Sequence, residues 1–349
     1  MTDLPIKPFI TAMIPTYRRP NLLRRAIRSV LNQTYPHLQV CVYDNSSGDE
    51  TASVVAEFMR TDGRVKYHCH PTNIGAFNNF TYGIERVGTP CFSLLSDDDL
   101  LLPDFYREAI EGLHQHPEAI FFAGETLRVD EKGRILAAFL SSWPREGFFH
   151  PHESLPFIQG VRHPTWTAIV FRREIIEKVG VLDPEVGAPL DLDLLFHAAA
   201  LFPIVISKKP CAIFVHHPSA GNELAGMNSL WPGWLKMMRN LKADERIPPS
   251  LRVQSEVLLT KLFRITVLVQ AVRCIRREDF KEAHRAAELL YKNDQIKKRA
   301  LWFALFIKLL CYVRPARHLF FSSAEILIYF RNLYFRRKYP DHHEILNLL

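Results

Sequence analysis

Short apolar runs alternate with segments of helical periodicity over the first 115 residues of the chain. The apolar runs begin at Ile10, Leu38, Val65 and Cys91, and helical spacing of Leu, Ile and Val follows the first run over residues 22–31. Repeated strand and helix units predict a mostly parallel sheet that helices cover on both faces. Ligands of such sheets bind at the carboxyl ends of the strands. The alternation therefore predicts an α/β fold with its site at one edge of the sheet.

Polar segments stand at corresponding ends of these strands. They occupy residues 15–19, 44–49, 73–79 and 97–99. Taken singly, a segment such as Asp44-Asn-Ser-Ser-Gly is an ordinary turn that hydrogen-bonds to its own backbone. Together at one sheet edge they offer an aromatic face, hydrogen-bond donors and carboxylates, which are the groups that a nucleotide pocket needs.

Three adjacent aspartates, Asp97, Asp98 and Asp99, follow the fourth strand. Mg²⁺ and Mn²⁺ prefer oxygen ligands and bind through one or two carboxylates plus substrate phosphates. A metal held here would stabilise a departing diphosphate. Considered alone, the run is more often a solvated acidic turn or a helix cap. Its position among the other polar segments favours the metal site.

Five segments resemble, in order and spacing, the motifs of family 2 glycosyltransferases with the GT-A fold. They are residues 12–20, 31–35, 42–49, 73–75 and 95–100. The resemblance covers about residues 8–220 and implies a GT-A domain, which is a Rossmann-like, mostly parallel sheet flanked by helices. It also implies a nucleotide-diphosphate sugar donor, with UDP- or dTDP-linked sugars favoured, and Mn²⁺ or Mg²⁺ as the cofactor.

The resemblance implies a role for each matching position. Its donor-binding positions are Pro15, Thr16, Tyr17, Arg19, Asp44, Asn73, Asp97 and Asp98. Asp44 is expected to accept a hydrogen bond from the base. Asp99 is expected to be the principal metal ligand, with Asp98 next. Ser96 stands where many members carry the first aspartate, which leaves the division of roles within the run open.

Two further sites lie downstream. Residues 189–194 resemble a family stretch in which the aspartate after a glutamate is the general base, and Asp191 matches that aspartate although Leu190 replaces the glutamate. Apolar neighbours would desolvate Asp191 and raise its proton affinity, whereas the alternative is a helix cap. His216 and His217 resemble a segment in which one histidine contacts the metal or the diphosphate; a structural role is the alternative.

The C-terminal part differs in composition from the rest. We expect a catalytic domain over residues 1–225 and a helical region over residues 226–349 that carries most of the chain's net charge of +7. Two segments, residues 300–313 and 319–335, are apolar and aromatic with basic borders. The first is short for a membrane span, and the second is interrupted by polar residues. They predict helices in the interface of an anionic membrane, or else a helical bundle or homo-oligomer interface. Nucleic acid is not an expected partner, because the basic clusters lack base-reading loops.

The N-terminal residues and the cysteines indicate the compartment. Residues 1–8 are short and polar, unlike a signal peptide, and the six cysteines form neither CxxC pairs nor a dense framework. We expect reduced, buried thiols in a cytoplasmic protein, peripheral on the inner face of the plasma membrane.

The resemblance implies an inverting glycosyltransferase that acts on a hydroxyl of a saccharide or lipid-linked acceptor in polysaccharide or cell-envelope biosynthesis. A sugar-phosphate nucleotidyltransferase is one alternative, although it normally carries a glycine-rich basic loop where this chain has Pro15, Thr16 and Tyr17. A degenerate transferase-like scaffold is the other. It is disfavoured by the joint presence of Asp44, the aspartate run and Asp191.

Overall fold

The computed structural model describes residues 9–130, 133–160, 163–187, 189–216, 227–293 and 297–339. Within these residues ten strands form one sheet. The strands are β1 (Ile10–Thr16), β2 (Leu38–Asp44), β3 (Val65–Cys69), β4 (Cys91–Leu94), β5 (Leu100–Leu101), β6 (Phe121–Asp130), β7 (Ile135–Ala138), β8 (Gly147–Phe149), β9 (Ile169–Arg172) and β10 (Ile204–His216).

Helices connect many of these strands and form most of the described C-terminal residues. The connecting helices are α1 (Pro20–Leu31), α2 (Thr51–Thr61), α3 (Ala76–Glu85), α4 (Phe105–Gln115), α5 (Pro151–Ile158), α6 (Ile175–Lys178) and α7 (Leu190–Leu201). The described C-terminal residues form α8 (Met227–Ala243), α9 (Pro249–Arg276), α10 (Phe280–Asn293), α11 (Lys297–Tyr312) and α12 (Arg314–Lys338). Two short 3₁₀ turns span Trp166–Ala168 and Pro184–Val186.

The sheet is parallel at one end and mixed at the other. Its strand order is β3-β2-β1-β4-β9-β6-β10-β5, with β7 beside β6 and β8 beside β10. The first four strands of this order are parallel, as the alternation predicted. Beyond them, β9 is antiparallel to β4 and β6, and β5 is antiparallel to β10. β6 and β10 are again parallel, and the long connection between them contains α5, α6 and α7. Parallel neighbours need such a crossover connection, whereas antiparallel strands do not.

Side chains of β1 alternate between apolar clusters on the two faces of the sheet. Ala12 and Ile14 pack in one cluster with Ile27 of α1, and Met13 packs in the other with Ile84 of α3. All seven residues of β1 are buried. Because both faces of the sheet are covered, the sequence of β1 is a mostly continuous apolar run. The predicted α/β class is confirmed.

The C-terminal helices pack on one of these two clusters. Trp234 of α8, Leu259 of α9 and Ile307 of α11 belong to the same apolar cluster as Met13. The predicted helical C-terminal region is confirmed within the described residues. The predicted boundary near residue 225 falls in residues 217–226, outside the described residues, so the division into two domains stays a prediction.

The six cysteines all lie in described residues and none forms a disulfide bond. Four of them are buried, and burial raises the pKa of Cys91 to about 11. Cys69, in contrast, is exposed. The expectation of uniformly buried thiols is wrong there, because Cys69 ends β3, which lies at the edge of the sheet.

Helix α8 approaches the sheet domain closely through a glycine. A Cβ atom on Gly233 would lie 1.9 Å from the backbone oxygen of Val186 and 3.0 Å from Cδ of Pro189. Lys236, one turn further along α8, pairs with Asp183 at 3.0 Å. The absence of a side chain at position 233 therefore sets how closely the helical region packs.

We predict that Gly233→Ala destabilises the protein by about 1–3 kcal/mol, because the added methyl group overpacks a backbone contact and outweighs the gain in helix propensity. Urea denaturation measures the change. Gly63→Ala is the matched control, since no heavy atom lies within 4 Å of a Cβ at that position. Equal stability of the two variants would contradict the close approach.

Candidate active site

The three adjacent aspartates form a tight connection between β4 and β5, here called the aspartate turn (residues 97–99). The backbone N–H of Leu95 donates to the oxygen of Met13 at 3.0 Å, which extends the pairing of β4 with β1. The N–H of Asp99 then donates to the oxygen of Ser96 at 3.1 Å, and Leu100 begins β5. Since β5 pairs with β10, both ends of the aspartate turn are fixed to the sheet.

Asp99 is the buried member of the aspartate turn, with 1% of the residue exposed. The Thr167 hydroxyl donates to its Oδ2 at 2.5 Å, and the backbone N–H of Val215 donates to its Oδ1 at 3.1 Å. Burial raises the pKa of Asp99 well above its ordinary value, and the nearby Asp98 adds to this effect. Both carboxylate oxygens are therefore occupied by groups of the protein.

Asp97 is also buried and accepts two hydrogen bonds. The Thr16 hydroxyl donates to Oδ2 at 2.8 Å, and Nη1 of Arg19 donates to Oδ1 at 3.1 Å. Burial raises the pKa of Asp97 to about 6, although the Arg19 charge opposes the shift. This carboxylate joins the aspartate turn to the segment that follows β1.

Asp98 is the accessible member, with 17% of its side chain exposed. Nη1 of Arg19 donates to its Oδ2 at 2.8 Å. Arg19 is one of the donor-binding positions that the resemblance implies. The structure places its guanidinium across the carboxylates of Asp97 and Asp98, with 39% of the side chain exposed. Of the three carboxylates, that of Asp98 is the best placed to meet a ligand.

The loop after β2 lies beside the loop after β1. Asp44 is buried; its Oδ1 accepts from the Ser47 N–H at 2.9 Å and from the Ser47 hydroxyl at 2.6 Å, and its Oδ2 accepts from the Tyr67 hydroxyl at 2.6 Å. Burial and Asp44 raise the pKa of Tyr67. In this structure Asp44 fixes the shape of its loop, and its contact with a base stays a prediction.

The remaining predicted donor positions lie at the same strand ends. Pro15 and Thr16 end β1 and pair in register with Tyr43 and Asp44. Tyr17 is 39% exposed. Asn73 accepts from the side chain of Asn45 at 3.1 Å, which connects the loop after β2 to the start of α3.

Asp191 is the second residue of α7 and is half-buried. Its Oδ1 accepts from the N–H of Leu192 at 2.9 Å. Burial raises the pKa of Asp191, and the neighbouring His163 opposes the shift. The carboxylate therefore has a raised proton affinity, the property that the sequence predicted for a general base.

The 3₁₀ turn Trp166–Ala168, here called the bridging turn, connects Asp191 to the aspartate turn. The indole Nε1–H of Trp166 donates to the backbone oxygen of Asp191 at 3.3 Å, and the adjacent Thr167 donates to Asp99. Trp166 also contacts Phe80 of α3 edge-on, with ring centroids 5.4 Å apart. Two consecutive residues thus bring the predicted base and the aspartates to the same part of the molecule.

Several residues of this network were not among the individual site residues predicted from the sequence. They are Asn45, Ser47, Tyr67, Trp166 and Thr167. A polar residue directly after a buried strand was a usable signal for Asn45 and Ser47. Tyr67 and Thr167 carried no such signal, because their partners are 23 and 68 residues away in the sequence.

Of the two predicted histidines, the structure describes only His216. His216 is the last residue of β10 and pairs in register with Asp130. Its neighbour Val215 donates to Asp99, so the end of β10 adjoins the site. His217 lies outside the described residues, and a ligand role for either histidine stays a prediction.

The side chains near the aspartate turn determine whether it could hold the metal ion that the resemblance implies. Within the residues that the structure describes, no group of three or more His, Cys, Asp or Glu side chains converges on one point. Asp98 nevertheless offers an accessible carboxylate, and Mg²⁺ or Mn²⁺ can be held by one carboxylate together with substrate phosphates. The residues therefore fit a divalent metal whose other ligands come mainly from the donor.

The sequence profile described as Glycosyl transferase family 2 matches residues 11–180, which include the aspartate turn and the bridging turn. Residues 11–180 therefore form a glycosyltransferase family 2 domain. A Rickettsia felis protein described as an uncharacterized glycosyltransferase is 25% identical over 237 residues, which cover 65% of this chain and 38% of the relative. A Campylobacter jejuni GalNAc(5)-diNAcBac-PP-undecaprenol beta-1,3-glucosyltransferase is 34% identical over 96 residues, covering 27% of this chain and 31% of the relative.

Solved structures identify the fold of the chain. Residues 1–349 of S. aureus TarS in complex with UDP-GlcNAc superpose with a TM-score of 0.64 at 13% identity, covering 87% of this chain and 90% of that one. The mannosyltransferase PcManGT from Pyrobaculum calidifontis, in complex with GDP-Man and Mn²⁺, gives a TM-score of 0.56 at 17% identity, covering 94% and 87%. The predicted GT-A fold is confirmed.

We predict that Thr167→Val lowers the free energy of unfolding at neutral pH by about 1–3 kcal/mol, because a buried carboxylate loses a hydroxyl donor. Urea denaturation measures this loss. Thr167→Ser keeps the hydroxyl and should recover most of the stability. A Thr167→Val protein as stable as the wild type would show that the bond to Asp99 does not hold the aspartate turn.

Proposed function

We propose that this family 2 member is an inverting glycosyltransferase. It would move a sugar from a nucleotide-diphosphate donor to a hydroxyl of a saccharide or lipid-linked acceptor in cell-envelope polysaccharide biosynthesis. The bridging turn is the observation that carries the proposal. It holds Asp191, a half-buried carboxylate of raised pKa, in the same network as the aspartate turn at the sheet edge.

Asp191 is the general base of the proposed reaction. The N–H of Leu192 holds Oδ1, and within the described residues no hydrogen bond occupies Oδ2, which is therefore free for the acceptor hydroxyl. Asp191 takes the proton as the acceptor oxygen attacks the anomeric carbon from the face opposite the leaving group. A single displacement of this kind inverts the anomeric configuration.

The aspartate turn is the proposed site for the donor diphosphate. Asp98 would hold Mn²⁺ or Mg²⁺, and such a metal, when bound, stabilises the negative charge that develops on the leaving diphosphate. Asp99 anchors the turn through Thr167 and Val215, and Asp97 anchors it through Thr16. We therefore rank Asp98 ahead of Asp99 as the metal ligand, the reverse of the order that the sequence suggested.

Relatives support the substrate classes. The UDP-GlcNAc in the TarS complex supports a UDP-linked donor, and the Mn²⁺ in the PcManGT complex supports a divalent metal. The undecaprenol-linked substrate in the name of the C. jejuni relative supports a lipid-linked acceptor. The matched region spans only 38% of the R. felis relative, so the activity of the whole protein rests on the proposal.

We predict that Asp98→Ala weakens Mn²⁺-dependent binding of UDP by about tenfold or more, because the metal loses its accessible carboxylate. Isothermal titration calorimetry with and without Mn²⁺ measures the effect. Asp104→Ala, in an exposed residue shortly after the aspartate turn, is the matched control and should bind normally.

Asp99→Ala should also lose metal-dependent transfer, but with a loss of stability that Asp98→Ala does not show. Absence of metal-dependent heat in the wild type would instead favour a scaffold.

We predict that Asp191→Asn keeps donor binding and lowers turnover by about 10²–10⁴-fold, since it removes only the base. In the wild type, kcat should fall as the pH is lowered through the raised pKa of Asp191, because the protonated carboxyl cannot accept a proton. Steady-state kinetics across pH, with calorimetry of donor binding, tests both statements. Full turnover by Asp191→Asn would refute the assignment.

A further inference from the structure

Helices α11 and α12 form a hairpin. The rings of Phe306 and Phe320 lie 5.6 Å apart, although residues 14 positions apart on one continuous helix would be about 21 Å apart. The chain therefore reverses direction near Val313, between the two helices. Within the described residues, no helix is long and apolar enough to cross a membrane.

One face of α11 is buried and the opposite face is exposed, yet both faces are apolar. Ile307 and Leu310 are buried in the core that the helices share with the sheet. The exposed face carries what we call the apolar stripe, spaced at three and four residues: Trp302, Leu305, Leu309 and Tyr312, which are 74%, 49%, 46% and 75% exposed. A helix face that meets only water is normally polar, so an exposed apolar stripe indicates an interaction surface.

A basic cleft begins two residues after the stripe ends. It has a volume of about 490 Å³ and lies between the end of α9 and the start of α12. Its basic lining residues are Arg276, Arg314, Arg317 and His318. Arg317 pairs with Glu278 at 3.8 Å, whereas Arg314 is exposed and makes no ion pair within the described residues. An adjoining hollow shares Arg314 and His318 and adds Leu319, which is 70% exposed.

The charge of this hairpin indicates which kind of partner the apolar stripe contacts. Residues 297–339 contain ten Lys and Arg residues and a single acidic residue, Glu325. A second copy of the same surface would bring these positive charges together, which is unfavourable. An anionic membrane attracts them, and Trp and Tyr are favoured at the level of its headgroups.

We propose that the apolar stripe lies in the interface of an anionic membrane while the basic cleft binds the phosphate of an anionic lipid headgroup. The stripe ends at Tyr312 and the lining of the cleft includes Arg314, so the two lie next to each other at the turn between α11 and α12. This surface is distinct from the aspartate turn and Asp191. Its role therefore does not depend on the proposed transfer reaction.

The stripe is tested by sedimentation of the full chain with vesicles of phosphatidylcholine containing phosphatidylglycerol. Leu305→Glu/Leu309→Glu should lower the partition coefficient by about 100-fold, because two apolar side chains become anionic at an anionic interface. Val253→Glu/Val257→Glu is the matched control, because it changes the net charge by the same amount on the exposed face of α9. Both valines are 65% exposed, and this variant should bind vesicles as the wild type does. Circular dichroism and UDP calorimetry should be unchanged in both variants.

The cleft is tested by Arg314→Gln, with the exposed Arg60→Gln as its matched control. Arg314→Gln should weaken binding to anionic vesicles by about fivefold, the effect of one basic residue near such a surface, and Arg60→Gln should not. Binding of the wild type should fall as salt is raised and should be weak on phosphatidylcholine alone.

Three outcomes would overturn the proposal. The first is equal vesicle binding by the stripe variant and its control. The second is a wild-type dimer in analytical ultracentrifugation that Leu305→Glu/Leu309→Glu converts to a monomer without loss of vesicle binding, which would make the stripe an interface between copies. The third is complete displacement from vesicles by millimolar inorganic phosphate at constant ionic strength, which would make the cleft a site for a free anion.

Discussion

The buried carboxylate of Asp99 organises the candidate site. It accepts from the Thr167 hydroxyl and from the N–H of Val215, and so ties the end of β4 to the bridging turn and to β10. Burying a carboxylate without hydrogen-bond donors costs free energy, so Asp99 needs these two donors in order to be buried. Because Thr167 adjoins Trp166, and Trp166 bonds to the backbone of Asp191, the same interaction sets where the proposed base lies.

Three neighbouring carboxylates acquire different properties from their surroundings. Burial raises the pKa of Asp97 to about 6 and that of Asp99 well above its ordinary value, while Asp98 remains the most accessible. Arg19 bridges Asp97 and Asp98 and offsets their mutual repulsion. A turn built in this way keeps one carboxylate accessible at the sheet edge and uses the other two to hold it in place, which suits a site that shares its metal with a phosphate ligand.

The helical region is joined to the catalytic part of the chain by packing. Helices α8 to α11 contribute to the cluster that contains Met13 of β1, and Gly233 lets α8 approach the backbone of Val186. The same helices leave the stripe that includes Trp302 and Tyr312 exposed. A rigid connection between that surface and the sheet edge would hold the proposed donor site at a fixed orientation to a membrane, which suits a lipid-linked acceptor.

The sequence by itself determined the α/β class, the positions of β1 to β4 and the presence of Asp44, the aspartate run and Asp191, because continuous apolar runs and the polar residues after them are local signals. It did not determine the mixed part of the sheet or the presence of β5. It also did not determine which roles Asp97, Asp98 and Asp99 have within the aspartate run. Those depend on Thr167 and Val215, which lie 68 and 116 residues from Asp99 and meet it only when the sheet forms. Burial and hydrogen bonding by distant residues decide which carboxylate stays accessible, and only the tertiary structure brings those residues together.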